Sequence, residues 1–206
     1  MKDAKVSCLT GSLQKYLKEL SSKTTAPGGG SAAAVVAALG AGLNLMVINY
    51  SIKKDSSHSI QSEFVVLKEK QTSSWKRLSE LIDEDCRVFR ELMDALASRS
   101  AQQDKYVAAA SIPIEICRES AISLEVTALL MEDSNKNLLT DVGSAAHMLD
   151  AAFAAAALNV YVNLKYIKDK DFVFATVKEL KQMEAIVRGT AKEISGRVKK
   201  ALKADS

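Results

Sequence analysis

One uncharged stretch, PGGGSAAAVVAALGAGLNLMVINY from Pro27 to Tyr50, dictates the architecture of this chain. Regular secondary structure accommodates neither an internal proline nor a run of glycines well, so Pro27–Gly30 predicts a turn. The alanines that follow favour a helix, which we predict from Ser31 to Tyr50. Because small side chains let neighbouring backbones approach closely, we expect this helix at the centre of a helical bundle.

The same turn is the first candidate for a functional site. It stands at the N-terminus of the predicted helix, where backbone N–H groups lack helical partners and the helix dipole is positive. Such a terminus can hold an anion or the polar edge of a ligand. We therefore expect Gly28, Gly29 and Gly30, together with the flanking Pro27 and Ser31, to contact a ligand.

The composition of the chain is that of an ordered globular protein. Of its 206 residues, 48% are hydrophobic and only 2 are proline, which argues against a disordered chain. A net charge of +3 and an aromatic content of 5% offer little to a nucleic acid, so we expect no nucleic-acid partner.

Cysteine usage and the N-terminus indicate the cellular compartment. Cys8, Cys86 and Cys117 show no CxxC spacing, which argues against a disulfide framework and for a reducing compartment. No signal-peptide pattern opens the chain, so the sequence predicts a cytoplasmic protein. The segment 31–52 is long enough to cross a membrane, but its Ala, Gly and Asn content favours a buried helix, and we expect no membrane partner.

Helical periodicity dominates the rest of the chain, and strand signals are nearly absent. We predict an all-α fold, a single bundle of about five or six long helices, mostly antiparallel, that forms one domain over residues 1–206. A second alanine-rich helix should share the centre, and Pro113 should kink or restart its helix near Ile112. The predicted helices cover about residues 9–22, 31–50, 59–96, 104–131, 141–167 and 172–202.

Asp85 is the most unusual residue of the long third helix. It lies seven residues after Leu78 and seven before Leu92, on an apolar stripe. A carboxylate there is costly unless it is paired or functional, and burial raises its pKa towards the range useful for acid–base catalysis. The alternatives are an ion pair with another helix, or a helix rotation that turns Cys86 inward. The stripe comprises Ile60, Phe64, Leu67, Gln71, Trp75, Leu78, Ile82, Phe89, Met93 and Leu96.

Asn159 and Asn163 form a second candidate, in the second alanine-rich helix. Residues four apart share a face of a helix. Amides that face the interior of a bundle need hydrogen-bond partners. Ligand amides or ring nitrogens would serve, and so would backbone groups at a kink.

Residues near the ends of the alanine-rich helices are further candidates. Thr140 and Asp141 have the residue types and the position of helix N-caps. The helix start that they mark, with the preceding Asn135, is also expected to face the cavity of the glycine turn. Lys53 and Lys54 are either ordinary surface lysines or groups that steer a polyanionic ligand.

Other chemistries find no support in the sequence. His58 and His147 lack partner carboxylates at metal-ligand spacing, so we expect no metal site. The glycine turn lacks the GK[ST] of a P-loop and the GxGxxG of a dinucleotide-binding fold, so we expect no nucleotide cofactor.

A family signature is carried, in order along the chain, by Thr25–Ser31, Leu81–Asp85 with Phe89, Asn135–Asp141, and Leu158–Val160 with Asn163–Leu164. Together these segments resemble the cyclodeaminase domain of formiminotransferase-cyclodeaminase and its stand-alone relatives, which include methenyltetrahydrofolate cyclohydrolases. The resemblance extends from about Leu9 to Leu202. The chain departs from the family at Thr140, where serine is frequent, and it lacks the transferase domain of the bifunctional enzymes.

The resemblance implies an all-helical, metal-free homodimer that acts on the one-carbon unit of a tetrahydrofolate substrate, with no permanently bound cofactor. Asp85 occupies the position of the family's catalytic aspartate. The residues implied to bind the folate are Pro27, Gly28, Gly29, Gly30, Ser31, Lys53, Lys54, Asn135, Asp141, Asn159 and Asn163.

Three functions are open on this resemblance. The first is hydrolysis of 5,10-methenyltetrahydrofolate to 10-formyltetrahydrofolate. The second is a formimidoyltetrahydrofolate cyclodeaminase, which releases ammonia and forms 5,10-methenyltetrahydrofolate. The third, of another class, is a non-catalytic helical interaction module, for which an inward Asp85 would be a costly choice.

Overall fold

Six α-helices make up the described part of the computed structural model, which covers residues 7–52, 58–99, 102–133 and 135–204. These residues contain no strand, and a short 3-10 turn, Lys136–Leu138, precedes the fifth helix. The predicted all-α class is therefore confirmed. The helices are α1 (Leu13–Leu20), α2 (Gly29–Ser51), α3 (His58–Ala97), α4 (Gln103–Asp133), α5 (Leu139–Leu164) and α6 (Lys170–Ala204).

The two alanine-rich helices, α2 and α5, pack antiparallel at the centre of the bundle, as predicted. Their close approach depends on small residues, because a Cβ atom added to Gly40 would lie 2.9 Å from the side chain of Leu149. Ala34, Ala37 and Ala41 are completely buried on the same helix. The sequence of α2 thus allows the backbone contact that its composition suggested.

The long helices alternate in direction, and ion pairs join their outer edges. Consecutive helices run antiparallel because their connections are short. By contrast, α4 and α6 run in the same direction: Arg118 of α4 pairs with Glu179 of α6, and further along both helices Glu132 pairs with Arg197. The ion pairs between helices are Lys70–Glu125, Arg77–Glu115 and Lys105–Glu91 for α3 and α4, and Arg118–Glu179 and Arg197–Glu132 for α4 and α6.

A buried polar cluster joins α2, α3 and α4. The Asn44 side-chain amide donates to Oε1 of Gln71 at 3.1 Å and to the Ser123 carbonyl at 2.8 Å. Gln71 donates to the Ser123 hydroxyl, and the Thr127 hydroxyl donates to Oδ1 of Asn44. The cluster accounts for Gln71 within an apolar stripe, because buried amides are stable when their partners are also buried.

The apolar stripe predicted for α3 is only partly correct. Phe64, Gln71, Leu78 and Ile82 are buried as expected, whereas Trp75, Phe89, Met93 and Leu96 are 39–42% exposed. In the second half of α3 the buried positions that the stripe omitted are Leu81, Cys86, Val88 and Leu92. The physical reason is that a straight helix with 3.6 residues per turn drifts away from a stripe drawn at steps of three and four over 40 residues.

Two local predictions also need correction. Pro113 does not restart a helix, since α4 continues through it. Thr140 and Asp141 lie inside the first turn of α5 rather than at its N-cap, which has no side-chain hydrogen bond. The chain reaches α5 through the 3-10 turn, which the Asn135 side chain caps by accepting the N–H of Asn137.

Two helical segments, Gly29–Ser51 and Lys136–Leu164, are long and apolar enough to cross a membrane. Core helices of bundles share these properties, and 50% and 44% of the two apolar windows are buried inside the protein. The burial matches the prediction that the first of them is a core helix.

Candidate functional site

The glycine turn meets Asp85 of α3 at the N-terminus of α2. The backbone N–H of Ser31 donates to Oδ2 of Asp85 at 2.8 Å. A Cβ atom added to Gly30 would lie 2.1 Å from Oδ1 of the same carboxylate, closer than any real contact. A free N–H of the turn therefore binds a carboxylate of the protein itself, and glycine at position 30 makes room for it.

Asp85 has no cationic partner among the residues that the structure describes. Its carboxylate is partly buried, and this burial raises its pKa to about 6, against the lowering effect of the Ser31 N–H. The predicted alternative of an ion pair with another helix is therefore not found among the described helices. The other alternative was a helix rotation that turns Cys86 inward. Cys86 is indeed buried, at 1% exposure, and its neighbour Asp85 also faces inward.

Behind the carboxylate, α1 contributes a buried tyrosine. The Tyr16 and Ser31 hydroxyl groups lie 3.2 Å apart, and both residues are buried. Tyr16 is the buried residue of α1, whose Leu13 and Leu17 are more than half exposed. The N-terminal helix is thus attached at the point where α2 contacts Asp85.

Asn159 and Asn163 of α5 lie on the opposite side of the cavity from α3. Asn159 is next to the turn, where a Cβ atom on Gly29 would lie 3.4 Å from its Nδ2. Its amide donates to the Ala155 carbonyl at 2.9 Å, and the Asn163 amide donates to the Ala109 carbonyl of α4 at 2.8 Å. The pair does share a face, and for Asn163 the backbone alternative is confirmed.

These groups enclose a small cavity of about 110 Å³. Asp85 is the charged residue of its lining, and most of the remaining surface is apolar. Five lining residues were not predicted from the sequence, although the proline next to Ile112 was a signal: Val88, Phe89, Ala109, Ile112 and Val162. The lining consists of Gly28, Gly29, Gly30, Asp85, Val88, Phe89, Ala109, Ile112, Asn159, Val162 and Asn163.

The other predicted ligand-binding residues lie at the far end of α2. The backbone N–H of Asn135 donates to the hydroxyl of Ser51, the last residue of that helix. A helix of 23 residues is about 35 Å long, so Asn135 and the nearby Asp141 cannot reach the cavity of the same chain. Lys53 and Lys54 lie outside the described residues.

The arrangement is suited to proton transfer and hydrogen bonding. Apart from Asp85, the residues that line the cavity are uncharged. The pKa of this carboxyl, about 6, is suited to a general acid or base. Among the described residues, no group of three or more His, Cys, Asp or Glu side chains is arranged to hold a metal ion. The chemistry that these residues themselves provide centres on Asp85.

Comparison with known proteins gives a consistent result. The formiminotransferase-cyclodeaminase family profile matches residues 12–182. A methenyltetrahydrofolate cyclohydrolase of Methylorubrum extorquens is 31% identical over 184 residues, which cover 84% of this chain and 88% of the relative. The rat formimidoyltransferase-cyclodeaminase is 27% identical over 202 residues, which cover 89% of this chain but 37% of that enzyme.

A solved structure agrees with the fold. The formiminotetrahydrofolate cyclodeaminase of Thermotoga maritima superimposes with a TM-score of 0.87 at 28% identity. The match covers 94% of this chain and 98% of that one.

Proposed function

The chain belongs to the formiminotransferase-cyclodeaminase family, and we propose that it hydrolyses 5,10-methenyltetrahydrofolate to 10-formyltetrahydrofolate, with Asp85 as the acid–base residue. It is an enzyme of folate one-carbon interconversion. Hydrolysis is our first choice because the methenyltetrahydrofolate cyclohydrolase of Methylorubrum extorquens is 31% identical to this chain. The rat formimidoyltransferase-cyclodeaminase and the Thermotoga maritima cyclodeaminase are 27% and 28% identical.

The observation that carries the proposal is the state of Asp85. The methenyl bridge between N5 and N10 is a cationic amidinium carbon, so an ionised carboxylate in an uncharged cavity attracts it without competition. Asp85 takes a proton from the attacking water and returns it to N5 as the N5–carbon bond breaks. The remaining hydroxyl proton of the intermediate is released to solvent as the formyl C=O forms. A general base of this kind contributes about 10²- to 10⁴-fold in rate.

The remaining cavity residues bind the substrate in this proposal. Asn159 and Asn163 contact the polar edge of the pterin ring, and the bare backbone of Gly28–Gly30 lies against its plane. Their position around Asp85 supports this assignment, since each of them lines the same cavity.

Cyclodeamination is the second candidate, favoured by the structural similarity to the Thermotoga maritima enzyme. In that reaction N10 attacks the formimino carbon, and Asp85 delivers a proton to the departing ammonia. The two reactions need opposite protonation states of Asp85 at the start, so they differ in their dependence on pH.

One absorbance experiment separates the candidates. Purified protein is incubated with 5,10-methenyltetrahydrofolate or with formimidoyltetrahydrofolate, and the absorbance of the methenyl form is followed against a protein-free blank. Accelerated loss from the first substrate indicates the hydrolase, and gain from the second indicates the deaminase. If neither rate exceeds the blank, the proposal fails and the non-catalytic interaction module replaces it.

We further propose that the enzyme is a homodimer that pairs through the outer face of α2. This helix carries no charged residue, yet one face of it is open along its length. Leu39 and Tyr50 are 56% and 66% exposed, and Val36, Leu43 and Met46 on the same face are only partly buried. A face with this 3-4 spacing is self-complementary around a two-fold axis.

An antiparallel pair of α2 helices would bring the two ends of the bundle together. The Asn135 and Asp141 end of a second copy would then lie beside the Gly28–Gly30 turn. The small cavity supports this arrangement, because about 110 Å³ is well below the volume that encloses most ligands, roughly 300–1,000 Å³.

Subunit mixing tests whether the site is shared. Asp85→Asn and Asp141→Ala variants are each expected to be inactive as homodimers. After they are mixed under conditions that exchange subunits, one intact site per mixed dimer should restore about a quarter of wild-type activity. Sedimentation of the wild type as a monomer, or no recovery on mixing, would refute the shared site.

We infer that residues 1–206 act as one cyclodeaminase/cyclohydrolase-like domain in the cytoplasm, with a folate substrate and neither nucleic-acid nor membrane partners. Support for one domain comes from a single hydrophobic core to which all six helices contribute. Cys8, Cys86 and Cys117 are free, as is usual in a reducing compartment.

A further inference from the structure

Pro113 lies inside α4, next to the cavity, at a position where proline is costly. In an α-helix the N–H of each residue donates to the carbonyl four residues earlier. Proline has no N–H, so the Ala109 carbonyl loses its partner within the helix. Pro113 and Ala109 are both buried, and water is therefore a poor substitute.

The Asn163 side chain of α5 supplies the missing donor. Its Nδ2 donates to the Ala109 carbonyl at 2.8 Å. This contact also assigns the two ends of the amide, because a carbonyl oxygen in the same place would face another acceptor. The Asn163 Oδ1 accepts no hydrogen bond from any residue within the described ranges.

Asn159 is oriented in the same way. Its Nδ2 donates to the Ala155 carbonyl of its own helix at 2.9 Å, and its Oδ1 likewise accepts nothing from the described part of the chain. Asp85 also lines the cavity and has one oxygen, Oδ1, with no described donor, so each polar side chain of the lining has an acceptor oxygen left for a ligand. Such a cavity favours a ligand edge that carries N–H groups and disfavours one that carries only acceptors.

We propose that Pro113 is a positioning residue for substrate recognition: by freeing the Ala109 carbonyl it holds the Asn163 amide so that Oδ1, with that of Asn159, accepts hydrogen bonds from N–H groups of the ligand. The ligand class rests on the proposed function, under which the N–H groups belong to the pyrimidine edge of a reduced pterin. Proline lowers the stability of α4, and its effect on the Ala109 carbonyl holds the Asn163 amide in one orientation.

The test is a Pro113→Ala variant, with exposed Ser111→Ala of the same helix as the control. Alanine restores the N–H to Ala109 and releases Asn163, so KM should rise about 3- to 10-fold while kcat stays within about twofold. Thermal stability should increase, because proline is removed from a helix interior. A purely structural proline would give a stability change without a KM change.

Two measurements test the role of Pro113 independently of which reaction the enzyme catalyses. In the Asn163→Ala background, Pro113→Ala should change KM no further, since both changes act through one contact. In the ligand-free protein, NMR should show slow exchange of the Asn163 side-chain NH₂ protons, which Pro113→Ala accelerates and Ser111→Ala does not. If the wild type turns over no folate, only the ligand class fails; if NH₂ exchange is the same in Pro113→Ala, the role of Pro113 is overturned.

Discussion

Two neighbouring carboxylates of α3, Glu84 and Asp85, show how differently adjacent residues are used in this protein. Glu84 faces the outer groove between α3 and α4, where both of its oxygens accept hydrogen bonds from Arg77 at 2.7 and 3.0 Å. Asp85 faces the cavity, where its described hydrogen-bond donor is the neutral Ser31 N–H. Glu84 therefore has a full cationic partner, and Asp85 has none within the described part of the chain.

The surroundings of each carboxylate follow this difference. Arg77 also binds Glu115 through two hydrogen bonds of 2.6 and 2.8 Å and pairs with Glu80, so the outer cluster joins two helices through a planar guanidinium. Arg77 holds the pKa of Glu115 below its usual range, while burial raises that of Asp85 to about 6. The outer cluster stabilises the fold, and the cavity keeps one carboxylate available for chemistry.

The largest expected effect comes from exchanging the two carboxylates for their amides. Asp85→Asn removes the proposed acid–base group and should lower kcat by about 10²- to 10⁴-fold. Glu84→Gln, the matched neighbour on the same helix, should retain activity within about twofold, since it does not line the cavity. Steady-state hydrolysis of 5,10-methenyltetrahydrofolate measures both, and comparable losses in the two variants would remove the distinction between them.

The same two substitutions, Asp85→Asn and Glu84→Gln, should change the free energy of unfolding in opposite directions at neutral pH. The folded pKa of Asp85 lies above its unfolded value of 3.8, so its ionisation costs stability as pH rises from about 4 to about 6. Asp85→Asn should therefore match the wild type at pH 4 and exceed it at pH 7 by about 1–2 kcal/mol, after allowance for partial exposure. Glu84→Gln should be less stable than the wild type at pH 7. Urea unfolding at the two pH values measures these differences.

A methyl group added at Gly30, next to the Asp85 carboxylate, should have the next largest effect on kcat. A methyl group at Gly30 cannot coexist with Asp85 at 2.1 Å, so Gly30→Ala must displace one of them and should lower kcat about 10- to 100-fold. Gly196→Ala in α6 is the control, because nothing lies within 4 Å of its added Cβ. It should keep full activity and gain about 0.5–1 kcal/mol. Full activity in Gly30→Ala would show that Asp85 tolerates a new position.

The dependence of activity on pH tests the raised pKa of Asp85. If Asp85 must be ionised to accept a proton from water, kcat/KM for hydrolysis should fall below about pH 6, approaching tenfold per pH unit. For cyclodeamination, which needs the protonated carboxyl, the rate should instead fall above that pH. A pH-independent rate between pH 5 and 7, about one unit either side of the pKa, would contradict both assignments.

The smallest effect on activity is expected from the outer cluster. Arg77→Met removes the cation shared by three glutamates, and their repulsion should cost about 1–3 kcal/mol of stability. Because the cluster does not line the cavity, kcat should change by less than about twofold. A large loss of kcat in this variant would mean that the position of α4 controls Asp85.

Much of the fold was predictable because its signals are local. The composition of α2 and α5 indicated helices with small faces, and Asp85 could be selected because its spacing to Leu78 and Leu92 is a property of one helix. The prediction failed where helix drift mattered, in the second half of the α3 stripe. It also failed at Thr140, where an unforeseen 3-10 turn starts the helix earlier.

The sequence by itself determined the helices, the small-residue centre, and the presence of a carboxylate and two amides on inward faces, because these depend on residues within a few turns of each other. Only the tertiary structure decided their partners. The Ser31 N–H and Asp85, and likewise Asn163 and Ala109, are separated by 54 residues and meet only when the helices pack. The pairing of Arg77 with Glu84, seven residues apart on α3, is by contrast local to one helix, whereas packing against α4 adds Glu115 to that cluster and packing against α2 brings the Ser31 N–H to Asp85.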